Sequence, residues 1–530
     1  MRHLYTLFGS LILLFALFFF TKNQYTSHSY PLNWDEVDYV EATKLGVLTN
    51  ALELEGMGLL SYIELGIAKV QKDEQKIAQI SANLPDESLD PLLKRHLHPT
   101  LPIFYWSFFT DSDVQQEVSN FRWSNIILGW LTALSFIVGL WIVGKLNPFS
   151  YFCMSIIASF FITQELVLVS FALLNYHVFH LLATILYLGI LVKYIETESS
   201  NTTSNFKHAY LLGVGVAILF LTLEMALVVV GGSFLAIILI GKWKLLIDFA
   251  SLGRALVSFF VTLLLFWAGA IIKGAMIKSW FNYAYRIFGN RNAEYERVSL
   301  LENWIELVKT TPILFSLIIL GFLLVIYTIY KKKLSSVYLV PFLVGLIYAI
   351  AMTPFMIHSV YLIPSIGMLL FACGLIFSES KLHHYIKIGI VFSLFIVIVF
   401  NFSTTDFEQK IRKTKIENNG YLGDFDTIEK IAINNVSKKP VLVTGAHIIN
   451  YYTSLNSQEL SRCSIASPDF CKRQNYAYTN IENEIRNKKY KVIVILKWMK
   501  YPTEKISLLK EIGYLHQELT YYDVFYLQEN

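Results

Sequence analysis

The run Leu4 to Phe20 reads LYTLFGSLILLFALFFF, seventeen residues without a charge, and a polar stretch containing Trp34-Asp35-Glu36-Val37-Asp38-Tyr39 follows soon after it. Seventeen residues of helix reach about 26 Å, close to the thickness of a bilayer core. The residues just after the run, Thr21-Lys22-Asn23-Gln24-Tyr25, lack the small-residue site at which a signal peptide is cut. The run therefore reads as an uncleaved first span with its N-terminus inside, and the acidic segment as the start of what lies just outside.

The rest of the chain fits this reading. Of its 530 residues 55% are apolar, and the mean hydropathy is +0.48. A single soluble core needs no such excess, so the bilayer is the expected solvent. The net charge of +4 is too small to suggest nucleic acid. Further spans read at Asn125 to Gly144, twice within Phe149 to Tyr194 with a break near Gln164 to Tyr176, and at Ala255 to Ile277, Pro312 to Tyr330, Val337 to Thr353, Tyr361 to Phe377 and Ile386 to Asn401. Lys145, Lys193, Lys207, Lys242, Lys244, Arg254, Lys331-Lys332-Lys333 and Lys381 to Lys387 fall on one side, the cytoplasmic one, if Tyr210 to Ile240 crosses twice as a hairpin with Glu224 near its outer tip. The fold class expected is a polytopic α-helical membrane protein of about eleven spans with an extracytoplasmic C-terminus.

Two outer segments, about Thr21 to Trp123 and Lys278 to Thr311, are too long to be simple connections. The first holds amphipathic stretches, Tyr39 to Leu52 and Leu59 to Val70, which can lie on the membrane surface or pack on the protein's own outer face. From about Thr404 the composition turns polar, and strands at Pro440 to Thr444, Tyr490 to Leu496 and Tyr521 to Leu527 alternate with helices at Asp426 to Asn434 and Thr503 to Ile512. This predicts a small α/β domain over 404–530 beside a membrane domain over 1–403. Thr444-Gly445-Ala446-His447 is too short a match for a phosphate-binding loop, so the tail is given no catalytic role. Of four cysteines, Cys153 and Cys373 lie in apolar runs; Cys463 and Cys471 lie in the tail and can pair if it is extracytoplasmic.

Three groups of residues could carry chemistry. Asp35 and Glu36 form an acidic pair near a low-dielectric surface, where a carboxylate becomes a better base or can bind a divalent cation; the alternative is that Asp35 caps a helix. Arg95, His96 and His98 precede the turn Pro99-Thr100-Leu101-Pro102 and suit a phosphate; the alternative is a set of interfacial anchors. Gln164, Glu165, Asn175, His177, Glu224 and His358 are polar groups in or near spans, structural one by one but expected to gather under the first outer loop.

This order of parts resembles the glycosyltransferases of the GT-C fold, among them the protein O-mannosyltransferases and the bacterial aminoarabinose transferases of lipid A. Asp35-Glu36-Val37-Asp38-Tyr39 is similar to the acidic opening of their first outer loop. His98-Pro99-Thr100-Leu101-Pro102-Ile103-Phe104-Tyr105 is similar to its closing turn, with Thr100 in place of a second proline. Ser170 to Tyr176 and Tyr361-Leu362-Ile363-Pro364 resemble two later segments, but Leu173 or Leu174, and Ser359-Val360, stand where those families carry an arginine. The resemblance spans Met1 to Asn401.

The resemblance implies inverting transfer of a sugar from a polyprenyl-phosphate donor to an acceptor that is a glycolipid, a polysaccharide or a protein. Asp35 would be the general base, and Glu36 would orient the acceptor or help bind a cation. Arg95 and His98 would hold the donor phosphate, with Arg286, Arg291 and Lys278 as alternatives. Glu165, Tyr176, His177, Glu224 and Tyr361 would line the substrate pocket. Hard oxygen ligands suit Mg²⁺ or Mn²⁺, but two carboxylates are not a complete site. The implied location is a multi-pass protein of a bacterial inner membrane with a periplasmic C-terminus. A secondary transporter is the competing reading, although the chain shows no repeated halves; a catalytically inactive scaffold in envelope assembly is another. A phosphatase reporter fused after Asn530 is expected to be active outside the cytoplasm, and a cytoplasmic reporter signal there would overturn the hairpin at Glu224.

Overall fold

The computed structural model describes residues 2–25, 32, 34–52, 58–71, 73–82, 99–198, 205–280, 335–352, 359–379, 422–434, 441–460, 481–497 and 503–528, with isolated helical positions between 305 and 326 and between 389 and 398. The described part is mostly helical and carries a small mixed sheet near its C-terminus.

The first helix, α1 (Arg2–Tyr25), is followed by the short helices α2 (Trp34–Lys44), α3 (Val47–Leu52), α4 (Leu59–Gln71), α5 (Glu74–Ala82) and α6 (Leu101–Trp106). The bundle then continues through α7 (Val114–Val143), α8 (Pro148–Ile162), α9 (Glu165–Phe171), α10 (Tyr176–Glu198), α11 (Asn205–Thr222), α12 (Ala226–Leu239), α13 (Phe249–Phe266), α14 (Val340–Met352) and α15 (Ile363–Glu379). Among the described residues four helices, α1, α7, α10 and α13, are long and apolar enough to cross a bilayer. A fifth candidate is the pair α8 and α9, bent by 68°. The shorter apolar helices α11, α12, α14 and α15 complete the bundle. The count of about eleven is therefore not reached among the described residues. Most of the segments read at Pro312 to Tyr330 and Ile386 to Asn401, the domain boundary near 403, and Cys463 and Cys471 lie outside them.

Two boundaries move for local reasons. Helix α7 starts at Val114 rather than Asn125, because Asp113 caps it by accepting from Gln116 N, and its polar first turns bury Glu117 and Arg122. It ends at Gly144 in the left-handed region (φ 80°), where a glycine closes a helix without strain. The break in the long apolar stretch is not a plain loop: α9 occupies part of it, and Asn175 caps α10 by accepting from Val178 N at 3.2 Å.

Glu224 lies in the turn between α11 and α12. At the other end of the bundle, Glu198 closes α10 near enough to His208 of α11 and to Asp248 and Arg254 at the start of α13 for their charges to act on it. The path from α11 through Glu224 and back along α12 therefore goes out and returns to the same end.

Packing in the bundle relies on small residues at crossings. A Cβ placed on Gly189 of α10 would lie 2.9 Å from the carbonyl oxygen of Gly139 on α7, so the two backbones touch. In lipid, where apolar side chains gain little from leaving their surroundings, such close approach is a main source of attraction.

The sheet has the order β2 (Gln458–Glu459), β1 (Val441–Val443), β3 (Val492–Leu496), β5 (Tyr522–Tyr526), β4 (Leu515–Glu518). β1 pairs parallel with β2 and β3, and β5 pairs antiparallel with β3 and β4. The domain is thus α/β with a mixed sheet, and the period of two along its strands serves two cores. Val441, Val443, Val492, Val494 and Leu496 belong to the same apolar cluster as the membrane bundle, whereas Leu442, Ile493, Ile495 and Phe525 pack with Leu509 of α17 (Thr503–Glu511). Gly445 (φ 77°) turns β1 into the helix α16 (Ala446–Tyr452).

Gly189→Leu should force α7 and α10 apart and cost at least about 1–3 kcal/mol. Gly231→Leu, where an added Cβ meets nothing within 4 Å, should be nearly neutral. Thermal unfolding of both variants in detergent checks this, and equal melting temperatures would refute the close crossing.

Candidate active site

Helix α2 carries WDEVDYVEATK, and Glu36, Val37, Asp38, Val40, Ala42 and Thr43 are all buried. A helix with three acidic residues in its first two turns is poorly suited to burial unless partners meet the charges. Arg122, from the outer part of α7, supplies one. Its guanidinium donates through Nη1 to Glu36 Oε1 at 2.5 Å and through Nη2 to Oε2 at 3.1 Å, with Glu36 1% and Arg122 2% exposed. Nη1 also donates to the carbonyl of Ala172 at 2.8 Å, and the amide of Leu174 donates to Glu36 Oε1 at 2.8 Å. This two-pronged, charge-assisted arrangement fixes α2 to α7 and to the loop between α9 and α10. That loop lacks an arginine at 173 or 174; Arg122 reaches it from another helix.

Both oxygens of Glu36 are thus engaged, and the carboxylate most directly assigned to cation binding is held by a guanidinium. Among the described residues no three His, Cys, Asp or Glu side chains are grouped to hold a metal ion. The residues present do not fit a cation at Glu36.

Asp35 is the second residue of α2, inside the helix rather than ahead of it as a cap. The ring of Tyr39 stacks on Trp106 (5.4 Å between centroids, 13°), and Tyr176 stands edge-on to both at 5.0 and 5.5 Å. Phe179 meets Trp106 at 5.3 Å and Tyr105 at 5.1 Å, and the Tyr105 hydroxyl donates to the Ser124 carbonyl at 2.7 Å. Burial raises the pKa of Tyr105, so the hydroxyl stays protonated. These rings form a rigid layer between α2 and the membrane bundle.

A polar cluster lies beyond that layer. His177 contacts Tyr361 edge-on at 4.6 Å, and Glu224 acts electrostatically on Tyr176, His180 and Tyr348. His180 Nδ1 meets the Thr222 hydroxyl at 3.1 Å, and its ring lies 6.0 Å from that of Tyr348. Tyr176, His177, Glu224 and Tyr361 are therefore brought together, and His180 and Tyr348 join them. Glu165 opens α9, which packs against the turn Ser359–Leu362 that carries Tyr361. Thr100 starts α6 and donates to the Phe266 carbonyl at 3.1 Å, tying the end of the first outer loop to α13. Lys278 is 3% exposed within the helical residues 275–280. Arg95, His96, His98, Arg286, Arg291 and His358 lie outside the described residues.

The pairing of Arg122 with Glu36 was not among the sequence expectations. Its signal was an arginine three residues ahead of the apolar run that starts at Asn125, close enough to the bundle for its charge to need a partner. Glu36→Ala or Arg122→Ala, each leaving one buried charge alone, should cost about 3–5 kcal/mol, and Glu36→Leu with Arg122→Met should recover most of it. Unfolding of the purified variants in detergent checks this. Single variants as stable as the parent would show that the pair does not hold α2.

No protein family matches the chain, and no curated protein matches it by sequence. Solved structures do. ArnT from Cupriavidus metallidurans bound to undecaprenyl phosphate matches with a TM-score of 0.56 over 97% of this chain and 97% of that chain, at 9% identity. The same protein in the apo state matches with a TM-score of 0.51 over 92% and 97%, at 10% identity. The oligosaccharyltransferase of Archaeoglobus fulgidus tethered with an acceptor peptide gives 0.46 over 82% and 66%, at 10% identity. From its first helix to its terminal sheet, the chain has the GT-C fold of membrane glycosyltransferases of the ArnT type.

Proposed function

We propose that this chain is a membrane glycosyltransferase that moves a sugar, with inversion, from a polyprenyl-phosphate donor to an extracytoplasmic acceptor. The observation that carries the proposal is the match over 97% of both chains to a structure that holds undecaprenyl phosphate. The acidic helix α2, pinned over one end of the bundle by Glu36 and Arg122, supports it.

Asp35 takes the proton of the acceptor hydroxyl or amine while the acceptor oxygen or nitrogen forms a bond to the anomeric carbon. The bond from that carbon to the phosphate oxygen breaks, and polyprenyl phosphate leaves with the electron pair. Glu36 serves through Arg122 as the anchor of the helix, which leaves Asp35 as the candidate base. The leaving phosphate gains negative charge as the bond breaks and calls for cations, for which Arg95, His98, Arg286 and Arg291 are the candidates. Tyr176, His177, Glu224 and Tyr361 offer polar groups for the sugar or the acceptor, with Glu165 a further candidate. The apolar face of α13, where Leu256, Val257, Phe260, Val261 and Leu264 are exposed, suits contact with lipid tails.

The test is transfer from a radiolabelled panel of undecaprenyl-phosphate sugars by membranes containing the parent or Asp35→Asn. Transfer by the parent that falls about 10²–10⁴-fold in the variant is the expected result. Asparagine keeps the shape and cannot accept the proton, so transfer at the parental rate would remove Asp35 from the mechanism. No transfer by the parent from any donor in the panel would count against the function itself.

A further inference from the structure

Two consecutive tyrosines of the C-terminal domain close on the helix that carries the acidic pair. Leu32, two residues ahead of α2, belongs to no helix or strand and is 2% exposed, so its backbone amide and carbonyl need partners. Tyr452 of α16 provides both: its oxygen accepts from Leu32 N at 2.6 Å, and its hydroxyl donates to Leu32 O at 3.2 Å. The neighbouring Tyr451 donates to Glu117 Oε2 at 2.7 Å. Lys44, the last residue of α2, reaches the same oxygen at 3.4 Å and lies 4.8 Å over the Tyr451 ring. Glu117 and Tyr451 are buried, so the bond between carboxylate and phenol is shielded from water, while Lys44 closes it from an exposed position. Burial first, then the charge and hydrogen bond of Glu117, raises the pKa of Tyr451, so it remains a donor.

Both ends of α2 are therefore tied to one short helix more than four hundred residues away in sequence. We infer that the C-terminal domain is a positioning element of the site: Tyr452 fixes the start of α2, Tyr451 fixes its end through Glu117 and Lys44, and together they set where Asp35 stands. Tyr451 and Tyr452 are positioning residues. The contacts hold whatever reaction is catalysed; the catalytic consequence rests on the function proposed above.

Tyr452→Phe keeps the ring against Phe425 (6.2 Å, 21°) and deletes only the hydroxyl. Hydrogen exchange of the full chain in detergent, read by mass spectrometry, tests the inference. The expected result is exchange over residues 34–44 faster by about tenfold in Tyr452→Phe, with β3 and α10 unchanged. Tyr490→Phe, which loses a bond to Glu484 beside the opposite face of the sheet, should leave α2 as in the parent. Parental exchange of α2 in Tyr452→Phe overturns the inference. Where the parent transfers an undecaprenyl-phosphate sugar, Tyr452→Phe should lower kcat about 10–100-fold with KM within twofold. Unchanged kcat would also overturn it. Absence of transfer by the parent sinks the proposed function alone, and the exchange result still decides this inference.

Discussion

The ion pair between Arg122 and Glu36 is the constraint on which the arrangement around α2 is built. Two charges with almost no exposure are tolerable because each neutralises the other and backbone groups at Ala172 and Leu174 add further hydrogen bonds. Such a pair gains little net stability over an apolar filling, but its geometry is strict. A helix held through it cannot slide or rotate without uncovering a charge. That is the property required of a scaffold that must hold a neighbouring carboxylate at one position relative to a substrate.

From that anchor the remaining contacts follow in layers. Tyr39 extends from α2 onto Trp106 and Tyr176, and Tyr176 feels the charge of Glu224 from below. The aromatic layer thus joins the acidic helix to the polar cluster at the ends of α10 and α11. Thr100 ties the last part of the first outer loop to α13. The tail closes on the two ends of α2 through Tyr452 and Tyr451. Charges that would be separate surface features in an isolated loop become parts of one buried network, in which a low dielectric strengthens every well-made bond and penalises every missing one.

Much of this was legible in the sequence, and the limits have physical causes. Long uncharged runs revealed α1, α7, α10 and α13, because a helix in lipid must present apolar side chains over its whole length. Short continuous apolar runs at Val441–Val443 and Val492–Leu496 revealed buried strands. The short α9, with its 68° bend from α8, was hidden because an apolar run does not say where a helix changes direction. β4, reading LHQE, was hidden because it lies at the sheet edge and is largely exposed, without a core-facing pattern. Asp35 and Glu36 stood out as an acidic pair, and Tyr176, His177, Glu224 and Tyr361 as polar groups near spans. What no spacing could reveal is that Glu36 pairs with Arg122, eighty-six residues away. A long-range partner leaves no local trace beyond the cost of burying it alone.

The sheet whose alternate residues serve two cores has a consequence for how the chain is assembled. One face of β1 and β3 packs with Phe425, Ile428, Ile448 and Ile449 in the same apolar cluster as the helical bundle. Folding of this segment is coupled to packing of the helices: Tyr451 and Tyr452 of α16 take their hydrogen-bond partners from Glu117 of α7 and from Leu32 just ahead of α2. A chain with misplaced helices leaves part of this shared apolar cluster uncovered, the kind of surface that chaperones and proteases recognise.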